Sequence, residues 1–108
     1  MGRLTYDSTT QVSIDDRVLA HLQIVIGAKL KRGEGFHFSW KDADRPAEMQ
    51  TLWLAPNIPL YFKYFGSRPA AINKPWIAAL AAASNSGGGL HLVPEPVETV
   101  EGEKGTTE

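Results

Sequence analysis

The chain has 108 residues, no Cys, and 11 Lys+Arg against 12 Asp+Glu, for a formal net charge of −1. That length supports one domain, and the lack of thiols excludes disulfides, thiolate metal sites and Cys nucleophiles. The charge is unevenly divided: residues 94–108 hold five Glu and one Lys, net −4, whereas residues 1–93 hold ten basic and seven acidic groups, net +3.

Leu4 and Tyr6, then Val12 and Ile14, alternate with polar residues on either side of Asp7-Ser8-Thr9-Thr10, which predicts a short hairpin. Asp15 or Asp16 then caps a helix over Arg17 to Lys31. Its apolar stripe is Leu19, Leu22, Ile26 and Leu30, with Val18 and Val25 beside it. His21 falls opposite much of that stripe. Basic residues in the last turn and Gly33 just beyond suit a helix end. Gly27 inside the helix costs about 1 kcal/mol relative to Ala and is expected to mark close contact with a neighbouring element.

Three strand patterns follow. Phe36, Phe38 and Trp40 alternate with His37, Ser39 and Lys41. After a polar loop from Asp42 to Glu48, Leu52 and Leu54 alternate with Thr51 and Trp53. Pro56-Asn57 turns the chain into Ile58, Leu60, Phe62 and Tyr64, which alternate with Pro59, Tyr61, Lys63 and Phe65. Pro59 lacks a ladder donor and belongs at a strand start or an edge. A second helix starts near Asn73, tolerates Pro75 in its first turn and runs to about Ser84. Gly87-Gly88-Gly89 returns the chain to a short strand over Leu90 to Val93. The order ββαβββαβ predicts an α+β two-layer sandwich, a mostly antiparallel sheet with two helices on one face.

Residues 1–93 therefore read as a single domain. From Pro94 to Glu108 the only large apolar residues are Val97 and Val100, too few to offset about 1–2 kcal/mol per residue of ordering entropy, so 94–108 reads as a disordered acidic tail. No export signal is recognisable, and Val18 to Leu30 is too short and too polar for a membrane span. A cytoplasmic protein without a membrane partner is expected.

Chemistry is expected on the sheet. If the apolar strand residues face the helices, the opposite face presents His37, Lys41, Trp53, Tyr61, Lys63 and Phe65, together with Ser39 and Thr51. Aromatics interleaved with lysines suit the stacking of single-stranded bases, with cations tracking phosphates. The same face suits self-association as a dimer, or cover by the chain's own loops. These six residues are the candidate binding site of a non-enzymatic interaction module.

Other constellations fall short. His21, His37 and His91 have no metal-ligand spacing, so neither a metal nor a cofactor is expected. Asp15-Asp16 is explained by capping. Gly33-Glu34-Gly35 lacks a third Gly, Gly87-Gly88-Gly89 lacks the Lys of a phosphate loop, and no Ser sits in a nucleophile elbow, so no catalytic residue is assigned. Lys41-Asp42-Ala43-Asp44-Arg45 departs from the nucleotidyltransferase pattern Lys-x-Asp-Gly-x-Arg at both Asp and Gly.

Gly2-Arg3-Leu4-Thr5-Tyr6-Asp7-Ser8, Asp16-Arg17-Val18-Leu19-Ala20-His21-Leu22-Gln23, Phe38-Ser39-Trp40-Lys41, Trp53-Leu54-Ala55-Pro56 and Leu92-Val93-Pro94-Glu95-Pro96 resemble a family of small uncharacterised actinobacterial proteins. Its members often carry the label "ATP-dependent DNA ligase". The likeness covers about residues 2–96. It implies a cytosolic location and supplies no catalytic residues, and ligase activity by this chain alone is not expected.

Overall fold

The structure, a computed structural model, describes residues 2–41, 47–66 and 71–96. Among the described residues the elements are β1 (Gly2–Tyr6), β2 (Thr10–Ile14), α1 (Asp16–Lys31), β3 (Phe36–Trp40), β4 (Gln50–Leu54), β5 (Leu60–Tyr64), α2 (Lys74–Ser84) and β6 (Leu90–His91). The α+β class and the order ββαβββαβ agree with the sequence pattern. No helix among the described residues is long and apolar enough to cross a membrane.

The β1–β2 turn closes through a 3.2 Å bond from the Thr9 N–H to the Tyr6 carbonyl. Asp7 (φ 54°) and Ser8 (φ 62°) adopt the left-handed conformation without a glycine. Asp is among the few residues that visit this region readily, and the Asp7 N–H is held by the Pro59 carbonyl at 2.9 Å. At the start of α1, Asp15 is the N-cap, its carboxylate accepting from the Arg17 N–H at 3.1 Å. At its end, Gly33 (φ 76°) turns the chain so that the Gly33 and Glu34 amides reach the Leu30 and Lys29 carbonyls, a Schellman closure.

Two sheets replace the single sheet expected. One has the order β2-β1-β5 and is antiparallel throughout. The other has the order β4-β3-β6, with β3–β4 antiparallel and β3–β6 parallel. The segment Ala55–Pro59 carries the chain from one sheet to the other instead of closing a β4–β5 hairpin. Period-2 alternation marks the buried face of each strand and leaves its partner open. Here β5 is drawn to β1 by the Asp7–Pro59 bond, while the Ala55 N–H donates to the Tyr6 hydroxyl at 3.2 Å.

The inward residues of both sheets meet both helices in one cluster. Leu4, Val12 and Ile14 come from the first sheet, and Phe36, Phe38, Trp40, Leu54 and Leu90 from the second. Leu19, Leu22, Val25 and Ile26 come from α1, and Trp76 and Leu80 from α2. Helix α1 lies on β1 and β5 and against α2, which covers β6.

Three local expectations are corrected. A Cβ added at Gly27 would meet nothing within 4 Å, so this glycine marks no close contact. His21 is fully buried instead of facing solvent. The last strand stops at His91, because the Val93 carbonyl is taken by the Trp76 indole N–H at 3.0 Å.

Glycine is required at residue 89, where φ is +80° and a Cβ would lie 2.6 Å from the His37 carbonyl oxygen. Gly89→Ala is expected to cost more than about 2 kcal/mol in urea unfolding, because left-handed strain of about 1–2 kcal/mol adds to a backbone clash. Gly88→Ala, whose Cβ meets nothing within 4 Å, should change the midpoint little.

Candidate functional site

The six residues singled out by sequence divide between the two sheets. Tyr61 and Lys63 project outward from β5, and Phe65 follows at its end; all three are exposed. On β1 the outward positions are Arg3 and Thr5, because Leu4 is buried. The β1–β5 register sets Arg3 directly opposite Lys63 and Thr5 opposite Tyr61. Both cations lean on one ring: the Arg3 guanidinium carbon is 5.6 Å and the Lys63 ammonium 5.3 Å from the centroid of Phe65. Such exposed contacts are each worth about 0.5–1 kcal/mol. Among the described residues neither Arg3 nor Lys63 has a carboxylate within ion-pair distance. Tyr61 is 61% exposed and Phe65 50%.

The outer face of the second sheet carries His37, Trp53 and Lys41. His37 and Trp53 are a cross-strand pair, ring centroids 4.9 Å apart and edge to face. The adjacent pair, Ser39 and Thr51, is joined by a 2.8 Å hydroxyl–hydroxyl bond, and His91 lies beside Ser39 on the parallel β6. Lys41, just past β3, is exposed and lines an open cleft of about 320 Å³ with Ser39, Trp40, Met49, His91 and Leu92. Of the polar loop expected over Asp42–Glu48, residues 42–46 lie outside the described residues, and with them the Asp, Ala and Arg that follow Lys41.

A third cluster sits where α1, α2 and the strand after β6 converge. His21 Nε2 accepts from the Asn73 N–H at 2.9 Å, which leaves its proton on Nδ1, 2.7 Å from the Arg17 carbonyl. The ring packs on Trp76 at 4.5 Å. Asn73, the α2 N-cap residue, makes no capping bond; its amide instead donates to Glu95 Oε2 at 2.8 Å and to the Pro96 carbonyl at 3.0 Å. Arg17 grips both Glu95 oxygens and also donates to the Ala71 carbonyl at 2.7 Å. Glu95 and Pro96, read from sequence as the start of the tail, are thus tied to both helices. Residues 97–108 lie outside the described residues.

Sequence reasoning missed Arg3 and this buried cluster. The alternation around Leu4 puts Arg3 outward, yet only the β1–β5 pairing sets it against Lys63. For His21 a signal existed: Val18, His21 and Val25 follow helical three-and-four spacing, a stripe that α2 covers.

The profile of a domain of unknown function, DUF7882, matches residues 1–95. The chain belongs to the DUF7882 family. Curated proteins and solved structures offer no match. The matched span holds all the elements of the DUF7882 domain and both outer faces. Among its described residues no group of three or more His, Asp or Glu is placed to hold a metal ion.

The Arg17 and Asn73 hydrogen bonds hold the Glu95 carboxyl down at about 2, against an ordinary 4.5. A carboxylate depressed in the folded chain stabilises it above its unfolded value, and that contribution is lost as pH falls toward the folded value. Between pH 4.5 and about 2 the urea midpoint of Glu95→Gln is therefore expected to fall less than that of the parent. Glu34, lowered by Arg32 and Lys29, titrates in the same direction in both proteins and cancels from the comparison.

Proposed function

We propose that this DUF7882 domain is a non-enzymatic binding module whose β2-β1-β5 outer face takes single-stranded nucleic acid. The observation that carries the reading is the Arg3–Lys63 pair. Like charges set directly opposite across strands are destabilising, on the scale of about 0.2–1 kcal/mol, and no carboxylate among the described residues relieves them. A phosphate between the two cations removes that repulsion. Tyr61 and Phe65 on the same face offer rings to unstacked bases, which a single strand exposes and a duplex does not. A cytoplasmic location, and an accessory role beside nucleic-acid repair, are what this reading keeps from the ligase label borne by the actinobacterial proteins the chain resembles.

The test uses one substitution that separates binding from stability. Lys63→Glu exchanges a like-charge pair for an opposite-charge one across β1–β5 and loses the contact with Phe65, so the two effects offset and the unfolding free energy is expected to change by less than about 1 kcal/mol. Binding of a fluorescent oligo-dT at low salt, read by anisotropy, should weaken by about tenfold, with a salt slope smaller by about 0.7. Tyr61→Ala should cost about 1–3 kcal/mol of binding with little change in that slope. Binding by Lys63→Glu at parental strength would refute the assignment.

A second reading is favoured by the other sheet. Trp53 (54%) and Met49 (61%) are exposed on and beside a face whose strand positions carry His37, Ser39, Thr51 and His91, with Lys41 at its edge. Such a near-neutral, aromatic surface suits self-association, with a second copy as partner. Sedimentation at micromolar concentration is expected to give a dimer that Trp53→Lys converts to monomer; a strict monomer in the parent removes this reading.

A further inference from the structure

We propose that residues 97–108 compete, within the same chain, for the Arg3–Lys63–Phe65 face. This regulation rests on the nucleic-acid reading of that face. The segment carries Glu98, Glu101, Glu103 and Glu108 against Lys104, a net charge of −3. Arg3, half-buried, and Lys63, exposed, are a complementary target on the outer side, without a paired carboxylate among the described residues.

Position supports the match. The Pro96 carbonyl, the last described point of the chain, is held by Asn73, and the preceding Glu95 by Arg17. The neighbour of Arg17, Asp16, accepts from the Phe65 N–H at 3.4 Å and from the Gly66 N–H at 2.8 Å. Consecutive residues of α1 thus hold the root of the acidic segment and the end of the strand that bears Lys63 and Phe65. Twelve residues span up to about 40 Å when extended, ample for the return from Pro96 to Arg3. A short tether of this kind presents its carboxylates at millimolar effective concentration.

The competition is selective by its chemistry. Glutamates answer the two cations and offer nothing to Tyr61 and Phe65. A ligand with both phosphates and unstacked bases therefore displaces the segment, whereas a polyanion without rings competes on charge alone. The root of the segment is stable under neutral conditions, because Glu95 stays ionised between Arg17 and Asn73.

The experiment compares the full chain with a full chain carrying Glu98→Gln, Glu101→Gln, Glu103→Gln and Glu108→Gln, and needs no truncation. Without nucleic acid, the amide and ring resonances of Arg3, Tyr61, Lys63 and Phe65 are expected to differ between the two proteins at low salt and to converge at high salt. Those of His37 and Trp53 should coincide throughout. With oligo-dT, the neutralised variant should bind about three to ten times tighter at low salt, and the gap should close as salt rises. Identical resonances at the four residues overturn the proposal, even if affinity rises, since remote repulsion alone would then account for it. Differences centred on Lys41, His37 or Trp53 overturn it too. If the four residues respond but neither protein binds oligo-dT, the segment does occupy the face and the nucleic-acid reading fails instead.

Discussion

Pairing of β5 with β1, in place of its chain neighbour β4, is the constraint on which the candidate face depends. It sets Lys63 opposite Arg3 and brings both onto Phe65. The pairing is held at both ends. At the start of β5 the Pro59 carbonyl receives the Asp7 N–H of a left-handed turn; past its end the Asp16 carboxylate receives the Phe65 and Gly66 amides. Between them, Leu60, Phe62 and Tyr64 turn inward against the core while Tyr61 and Lys63 face out. Neither end is a hydrophobic contact. Burial decides which way the strand faces, and hydrogen bonds at its ends decide where it lies.

The first turn of α1 links this sheet to the rest of the molecule. Asp15 caps the helix, Asp16 fixes the end of β5, and Arg17 clamps Glu95 and the Ala71 carbonyl. Three consecutive charged residues thus join a helix, a strand and the chain's closing segment. Under them, His21 and Asn73 extend the network into a buried position against Trp76. The two outer faces differ in kind as a result. The first gathers cations around an exposed ring, whereas the second pairs His37 with Trp53 and Ser39 with Thr51 and carries little charge. A polyanion and a second copy of the chain therefore need not compete for one surface.

Much of the fold was legible in the sequence. Alternation located β1 to β5 and their buried faces, and the Asp15 cap and Gly33 closure bounded α1. Strand partners were not legible, because a period of two is the same whichever neighbour a strand takes. That is why the pattern suggests a single sheet and does not set Arg3 beside Lys63. The sequence points His21 outward because the strongest stripe of α1 runs through Leu19, Leu22 and Ile26, and a second stripe is buried only once α2 docks. Glu95 looked like part of an acidic run, since nothing local to it reveals a guanidinium 78 residues away. Of the candidate site, the outward orientation of Tyr61, Lys63, His37 and Trp53 was readable from alternation; their division over two sheets was not.

The most direct measurement is a two-dimensional NMR titration of the full chain with oligo-dT at low salt, following backbone amides and aromatic rings. Shifts are expected at Arg3, Thr5, Tyr61, Lys63 and Phe65, and in residues 97–108 as that segment is displaced, with His37, Trp53 and His91 unmoved. Shifts centred on the second sheet, or none at an oligonucleotide concentration that saturates cationic single-strand binders, would contradict it.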